Sequence, residues 1–261
     1  ADNDTVNAGE GDNTVAAGNG DNTVITGSGN DAITSGTGVD VINSGAGSDT
    51  ISSGDGADII TAGTGANVID AGTGNDTVTV LGGVGGSTIT GGLGQDSITG
   101  GTGSADVFRL VTVADSVGLT RDTSVNCRCG SDQIQVESTA VSAAVRTQFN
   151  RGNPSVNFAG NAADFSDAQG AISLTAGDGK ADFVFEQENN KLWIDVNDDG
   201  LLNGLDIQVT LDGVTSIAAN AVQLIDTIAP TAPVVVLDAA SDTGASNADG
   251  VTSDTTPTLN I

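Results

Sequence analysis

GSGNDAITSGTGVDVINSGAGSDTI, residues 27–51, places a glycine pair and an aspartate every nine residues, with no lysine or arginine nearby. Outward from it the same frame reads AGEGDNTVA, AGNGDNTVI, TGSGNDAIT, SGTGVDVIN, SGAGSDTIS, SGDGADIIT, AGTGANVID and AGTGNDTVT, unbroken from Ala8 to Thr79. A partial repeat precedes this run, and after the insertion Val80–Leu81 come GGVGGSTIT, GGLGQDSIT and a degenerate GGTGSADVF. One position is always Val or Ile: Val6, Val15, Val24, Ile33, Ile42, Ile51, Ile60, Ile69, Val78, Ile89 and Ile98. A disordered glycine-rich linker would not confine its β-branched residues to one phase of the repeat.

Each repeat divides into a turn, where the glycines supply positive φ, and a short strand centred on the β-branched residue. Strands this short cannot form a core alone, so two repeats close one coil of about 18 residues and coils stack about 4.8 Å apart. The expected fold is mainly β, a thin parallel β-roll filled by Val and Ile. Alternate repeats then share an edge, so Asp4, Asn22, Asp40, Asp58, Asp76 and Asp96 line one and Asn13, Asp31, Asp49 and Asn67 the other. Successive carboxylates about 5 Å apart repel unless a hard cation sits between them, completed by turn carbonyls that glycine leaves open. Arg109 is the first base in the chain, and 14 acids precede it. The missing counter-charge is calcium.

Over about residues 1–106 these repeats resemble the RTX family, glycine-rich nonapeptides G-G-x-G-x-D-x-U-x of proteins exported by type I secretion. The resemblance implies Ca²⁺ between adjacent coils, held by aspartates and backbone carbonyls of two same-side turns, with on the order of eight ions in the roll. The chain departs from the pattern where Asn13, Asn22 and Asn67 replace Asp, and again at Ser87 and Ala105. Asp12 and Asp21, one position early, are expected to restore part of the charge.

From Val107 bases appear and glycine thins, and VFRLVTV reads as a strand leaving the roll. Residues 107–227 are expected to form a mixed, mostly β cap. Ser138 or Thr139 would start a short helix with Val141, Val145 and Phe149 on one face. FVFEQE and KLWIDV around Asn189–Asn190 predict a hairpin. DVNDDGLLNGLD, residues 195–206, follows directly and matches an EF-hand loop pattern between strands. Asp195, Asn197, Asp199, the Leu201 carbonyl, Asn203 through water and Asp206 fall at ligand positions for one further Ca²⁺, with Gly200 at the sharp turn. The competing reading is an acidic hairpin loop. RDTSVNCRCGSDQIQV, residues 121–136, is similar to the strand–turn–strand that follows RTX rolls, with Asp122, Asn126 and Asp132 either further ligands or solvated turn residues. Cys127 and Cys129 lack a second ligand pair for zinc, which leaves small strand residues or a strained or intermolecular disulfide.

TIAPTAP, residues 227–233, marks a linker. The following VVVLDAASDTGASNADGVTSDTTPTLNI resembles the opening of a bacterial Ig-like repeat. Such a sandwich needs about 100 residues, so residues 228–261 are expected to be an incomplete domain with VVVL and TLNI as orphan strands. Asp238, Asp242, Asn247, Asp249 and Asp254 are expected either to bind interdomain calcium or to solvate a loop.

The net charge of −27, from 34 acids and 7 bases, argues against nucleic acid and anionic membranes as partners. No apolar run approaches a membrane span of about 18 residues, and the N-terminus lacks the features of a signal peptide. Without His there is neither a zinc protease motif nor a Ser-His-Asp triad, and without His and Tyr a polyuronate epimerase is disfavoured. Ice binding would need a uniform row at Glu10, Asn19, Ser28, Thr37, Ala46, Asp55, Thr64 and Thr73, which the sequence lacks. The expectation is a non-enzymatic, extracellular, calcium-dependent structural segment of a large secreted bacterial surface protein or adhesin. The alternative is a subunit of a self-assembling surface layer or filament, touching other copies or adjacent domains through residues 228–261.

Overall fold

The computed structural model describes residues 2–102, 105–111, 124–126, 132–137, 156–173, 181–202, 206–211, 214–225, 236–237 and 259–260. Every repeat yields one short strand: β1 (Thr5–Gly9), β2 (Thr14–Ala16), β3 (Thr23–Thr26), β4 (Ala32–Thr34), β5 (Val41–Gly45), β6 (Thr50–Ser52), β7 (Ile59–Ala62), β8 (Val68–Asp70), β9 (Thr77–Val80), β10 (Thr88–Thr90) and β11 (Ser97–Thr99). Odd strands stack in one parallel sheet and even strands in another. Pairing joins equivalent residues of successive coils, Val24 with Ile42 and Ile33 with Ile51, and so holds the Val/Ile column in register. The column is buried from Val15 to Ile98, and Val6 packs half-buried against it. The insertion at Val80–Leu81 leaves the register intact: Val80 ends β9 beside Ala62, and Val78 still pairs with Ile98.

The roll does not stop where the repeats degenerate. The strand expected to leave it, β12 (Val107–Leu110), continues the even sheet, with Phe108 beside Ile89. One extra residue precedes it, so Phe108 takes the core position and Asp106 the place expected of Ala105. β13 (Ser124–Asn126) adds to the odd sheet, while β14 (Gln133–Glu137) extends the even one. The helix expected around residues 138–150 lies outside the described residues, as do Asp122, Cys127 and Cys129.

A third sheet follows, ordered β15 (Val156–Ala162), β16 (Ala181–Glu186), β17 (Lys191–Asp195) and β18 (Ile207–Thr210). α1 (Phe165–Ser173) joins the parallel pair β15 and β16. Its start is capped by Asp164, whose Oδ1 accepts the Asp167 N–H at 3.0 Å. The hairpin β16–β17 forms in the expected place, with Asn190 at φ 53° in its turn. Phe183, Phe185, Leu192, Ile194, Ile207 and Val209 face the core shared with the roll, whereas Val184 and Trp193 meet Ala168 and Ile172 of α1 in a separate cluster. β19 (Val222–Ile225) returns to pair with β14.

Residues Ala1–Thr227 form one compact unit and Ile228–Ile261 another. Within the latter, β20 (Val236–Leu237) and β21 (Leu259–Asn260) pair antiparallel. The two strands expected as orphans therefore pair with each other. Among the described residues no helix is long and apolar enough to cross a membrane.

Candidate metal centre

Both edges of the roll carry a ladder that joins side chain to backbone. On one edge the N–H of Asp4 donates to Asn22 Oδ1 at 2.9 Å, that of Asn22 to Asp40 at 2.8 Å, and that of Asp40 to Asp58 at 2.8 Å. Asp58 then donates to Asp76 at 2.8 Å and Asp76 to Asp96 at 2.9 Å. On the opposite edge the ladder runs from Asn13 to Asp31 at 2.8 Å, to Asp49 at 3.0 Å and to Asn67 at 2.9 Å. It continues through Ser87 Oγ at 3.2 Å to Asp106 at 2.8 Å and Asp132 at 3.1 Å. The expected edge grouping is thus the geometric one. Asp106 was missed because the expected register ends on Ala105; reading Asp-Val-Phe as the aspartate, spacer and core positions would have found it.

One carboxylate oxygen of each aspartate serves this ladder. The other, Oδ2, is buried and has no hydrogen-bond partner in Asp31, Asp40, Asp49, Asp58 and Asp76. Burying an ionised carboxylate without a compensating charge is costly. Burial accordingly raises the pKa of Asp49 and Asp58 and lifts that of Asp76 to about 7. The turn backbone offers carbonyls, and where a turn stacks on an earlier coil it leaves no room for a side chain. At Gly56, with φ 146°, an added Cβ would run into the Gly38 carbonyl one coil earlier. Carboxylate oxygens and glycine carbonyls together form a hard-oxygen donor set suited to calcium.

Asp12 and Asp21, expected to restore part of the charge, also bond from coil to coil. Their exposed side chains form an outer ladder of opposite sense, Asp12 Oδ1 accepting the Asn30 N–H at 2.7 Å and Asp21 Oδ1 the Val39 N–H at 2.9 Å. Asn30 and Asn75 continue it to Ser48 and Gln95.

The 195–206 loop is organised around Asp195, which is fully buried. Its Oδ1 accepts the N–H of Asp198 at 2.8 Å and its Oδ2 that of Gly200 at 2.9 Å, while burial raises its pKa. Asn197 Nδ2 donates to Asp199 at 3.0 Å, and Asp199 Oδ1 accepts the Leu201 N–H at 2.8 Å. Asp206 is also buried, and Asn203 lies outside the described residues. Gln169 of α1, invisible to motif reading, grips the same loop with both ends of its amide. Its Nε2 donates to the Gly200 carbonyl at 2.7 Å and its Oε1 accepts the Leu202 N–H at 2.8 Å. A trans peptide sets C=O and N–H in opposite directions, so holding the Leu202 N–H turns the Leu201 carbonyl away from α1. Among the described residues no three acidic side chains gather into a preformed cage. Backbone carbonyls would have to complete any coordination shell.

A stacked parallel solenoid with periodic buried carboxylates on both edges is a calcium-binding structural fold. The sequence family described as RTX calcium-binding nonapeptide repeat (4 copies) matches residues 1–33, 17–51, 25–60, 52–84 and 79–104. Repeats and solenoid together support the RTX family, and such repeats imply a calcium-binding structural segment of a secreted protein. No curated protein matches the chain.

Proposed function

We propose that this chain is a non-enzymatic segment of a large secreted bacterial surface protein or adhesin, made rigid by extracellular calcium. The observation that carries it is the column of buried aspartate oxygens in a stretch with no Lys or Arg before Arg109. Asp4, Asp31, Asp40, Asp49, Asp58, Asp76 and Asp96 with turn carbonyls serve the roll. Asp195, Asn197, Asp199, the Leu201 carbonyl, Asn203 and Asp206 serve one ion in the loop. The repeats over residues 1–106, the segment 107–227 that continues their two sheets and adds the β15–β18 sheet, and the incomplete Ig-like segment over 228–261 have separate roles in this reading. One Val or Ile per repeat buries too little apolar surface to offset the entropy of ordering its neighbours, so cation binding completes the balance.

Far-UV circular dichroism during a calcium titration tests the proposal. Strand signal is expected to be low in chelator and to rise cooperatively at about 10⁻⁴ to 10⁻³ M calcium, the range of extracellular modules. Full strand signal in chelator overturns it. For the loop, Asp195→Ala or Asp199→Ala is expected to remove one ion and expose the cap to protease; unchanged calorimetric stoichiometry and proteolysis in both overturn that assignment. Among the described residues β20 and β21 pair only with each other, so each strand offers one open edge, and the surface-layer or filament alternative through residues 228–261 keeps the feature that motivates it.

A further inference from the structure

The asparagines that interrupt the aspartate series differ from the aspartates in one respect. Asn22 and Asp58 have the same Oδ1 bond, each accepting the N–H of the ladder residue one coil earlier. Aspartate and asparagine are isosteric, so with Oδ1 pinned the second atom falls in the same place, Nδ2 in one and Oδ2 in the other. In Asn22 that nitrogen donates to two carbonyls of its own turn, Gly18 at 3.1 Å and Gly20 at 2.8 Å. Asn13, the first residue of its ladder, likewise donates to Gly9 at 3.1 Å and Gly11 at 2.6 Å and also to Asp31 Oδ1 at 3.3 Å, and Asn67 donates to Gly63 at 3.4 Å. Ser87, next along the ladder from Asn67, donates its hydroxyl to the Gly65 carbonyl at 3.4 Å. In Asp31, Asp40, Asp49, Asp58 and Asp76 the corresponding oxygen is buried without a partner. An amide N–H can satisfy a carbonyl, whereas a carboxylate oxygen turned toward carbonyls sets lone pair against lone pair.

We infer that Asn13, Asn22 and Asn67 take the place of calcium in their turns instead of binding it, with Ser87 adding a second donor to the Asn67 turn. This rests on the calcium reading of the roll and deepens it. The aspartate turns require an ion, and the asparagine turns carry their own donor. The roll therefore alternates between ion-dependent stretches and ion-free seams, one in the first coil through Asn13 and Asn22, the other at Asn67 and Ser87 beside the insertion. In the seams the amide closes the turn at any calcium concentration, so these coils hold the register onto which ion-dependent coils add.

Isothermal titration calorimetry and circular dichroism on the full chain test this with two opposed substitutions. Asn22→Asp is expected to add one bound calcium and shift the folding midpoint to higher calcium. An unchanged ion count with tighter binding would mean that Asn22 is already a ligand and overturns the inference. Asp58→Asn is expected to lose one ion, keep its strand signal in saturating calcium and fold at a lower midpoint than Asp58→Ala. Equal damage from Asp58→Asn and Asp58→Ala overturns it as well, even should Asn22→Asp fail to fold. Absence of calcium binding by the unaltered chain would instead refute the calcium reading itself, a result distinct from the others.

Discussion

The roll and the β15–β18 sheet share one apolar core yet are held by different means. In the roll each repeat contributes one Val or Ile, and buried carboxylates line both edges. In the sheet, Phe183, Phe185, Leu192 and Ile194 are fully buried, Phe158 stacks on Phe183 at 5.0 Å, and Trp193 packs under α1 with its indole N–H on Glu186 at 2.9 Å. The roll is a nearest-neighbour structure in which each coil leans on the next. On the proposed reading its folding equilibrium is set from outside, by an ion, where that of the sheet is set by its own side chains.

Calcium removal should separate the two regions most. In chelator the amides of the Val24 to Ile98 column are expected to lose hydrogen-exchange protection, while those of β16 and β17 keep more of theirs. Equal loss in both would erase the distinction and make the molecule one cooperative unit. Next in size are core deletions in saturating calcium. Phe183→Ala should cost about 3–5 kcal/mol and Ile60→Ala about 2–5 kcal/mol in denaturant unfolding. Only Ile60→Ala is expected to raise the calcium midpoint markedly, because its neighbours are ion-dependent coils.

A smaller effect follows from pH. Burial raises Asp49 and Asp58 above the ordinary aspartate value and takes Asp76 from 3.8 to about 7, so the folded roll binds protons more tightly than the unfolded chain. Without metal, the stabilisation from this proton uptake is complete below the ordinary value and is lost as pH rises through about 7. Residual strand signal in chelator should thus grow on acidification toward pH 4, and the calcium midpoint should rise as pH falls, because protons and calcium compete for the same oxygens. A midpoint independent of pH below 7 would contradict this. The smallest change is expected for Asp12→Ala, which removes one exposed bond of the outer ladder and should move the calcium midpoint less than Asp58→Ala does. A comparable shift would mean that the outer ladder matters as much as the buried one.

The repeated part of the fold was legible from sequence because its causes are local. Glycine sets the turn within each nonapeptide, and the β-branched residue marks the strand. The 18-residue spacing then pairs like with like, Val24 with Ile42 as Ile33 with Ile51. The hairpin around Asn189–Asn190 was legible for the same reason. Opaque to sequence were the continuation of the even sheet through β12, β14 and β19, the one-residue shift that puts Asp106 on the ladder, and the grip of Gln169 on Gly200 and Leu202. Motif reading also could not separate an asparagine that binds an ion from one that replaces it, since Asn22 and Asp40 occupy equivalent positions in the repeat. Sequence alone determined the period, the strand faces and the two edges of acids, because turn chemistry and side-chain alternation act over a few residues. Only the tertiary structure decided which coils follow the last repeat and where each amide or carboxylate points, because those depend on residues distant in the chain coming within hydrogen-bond reach.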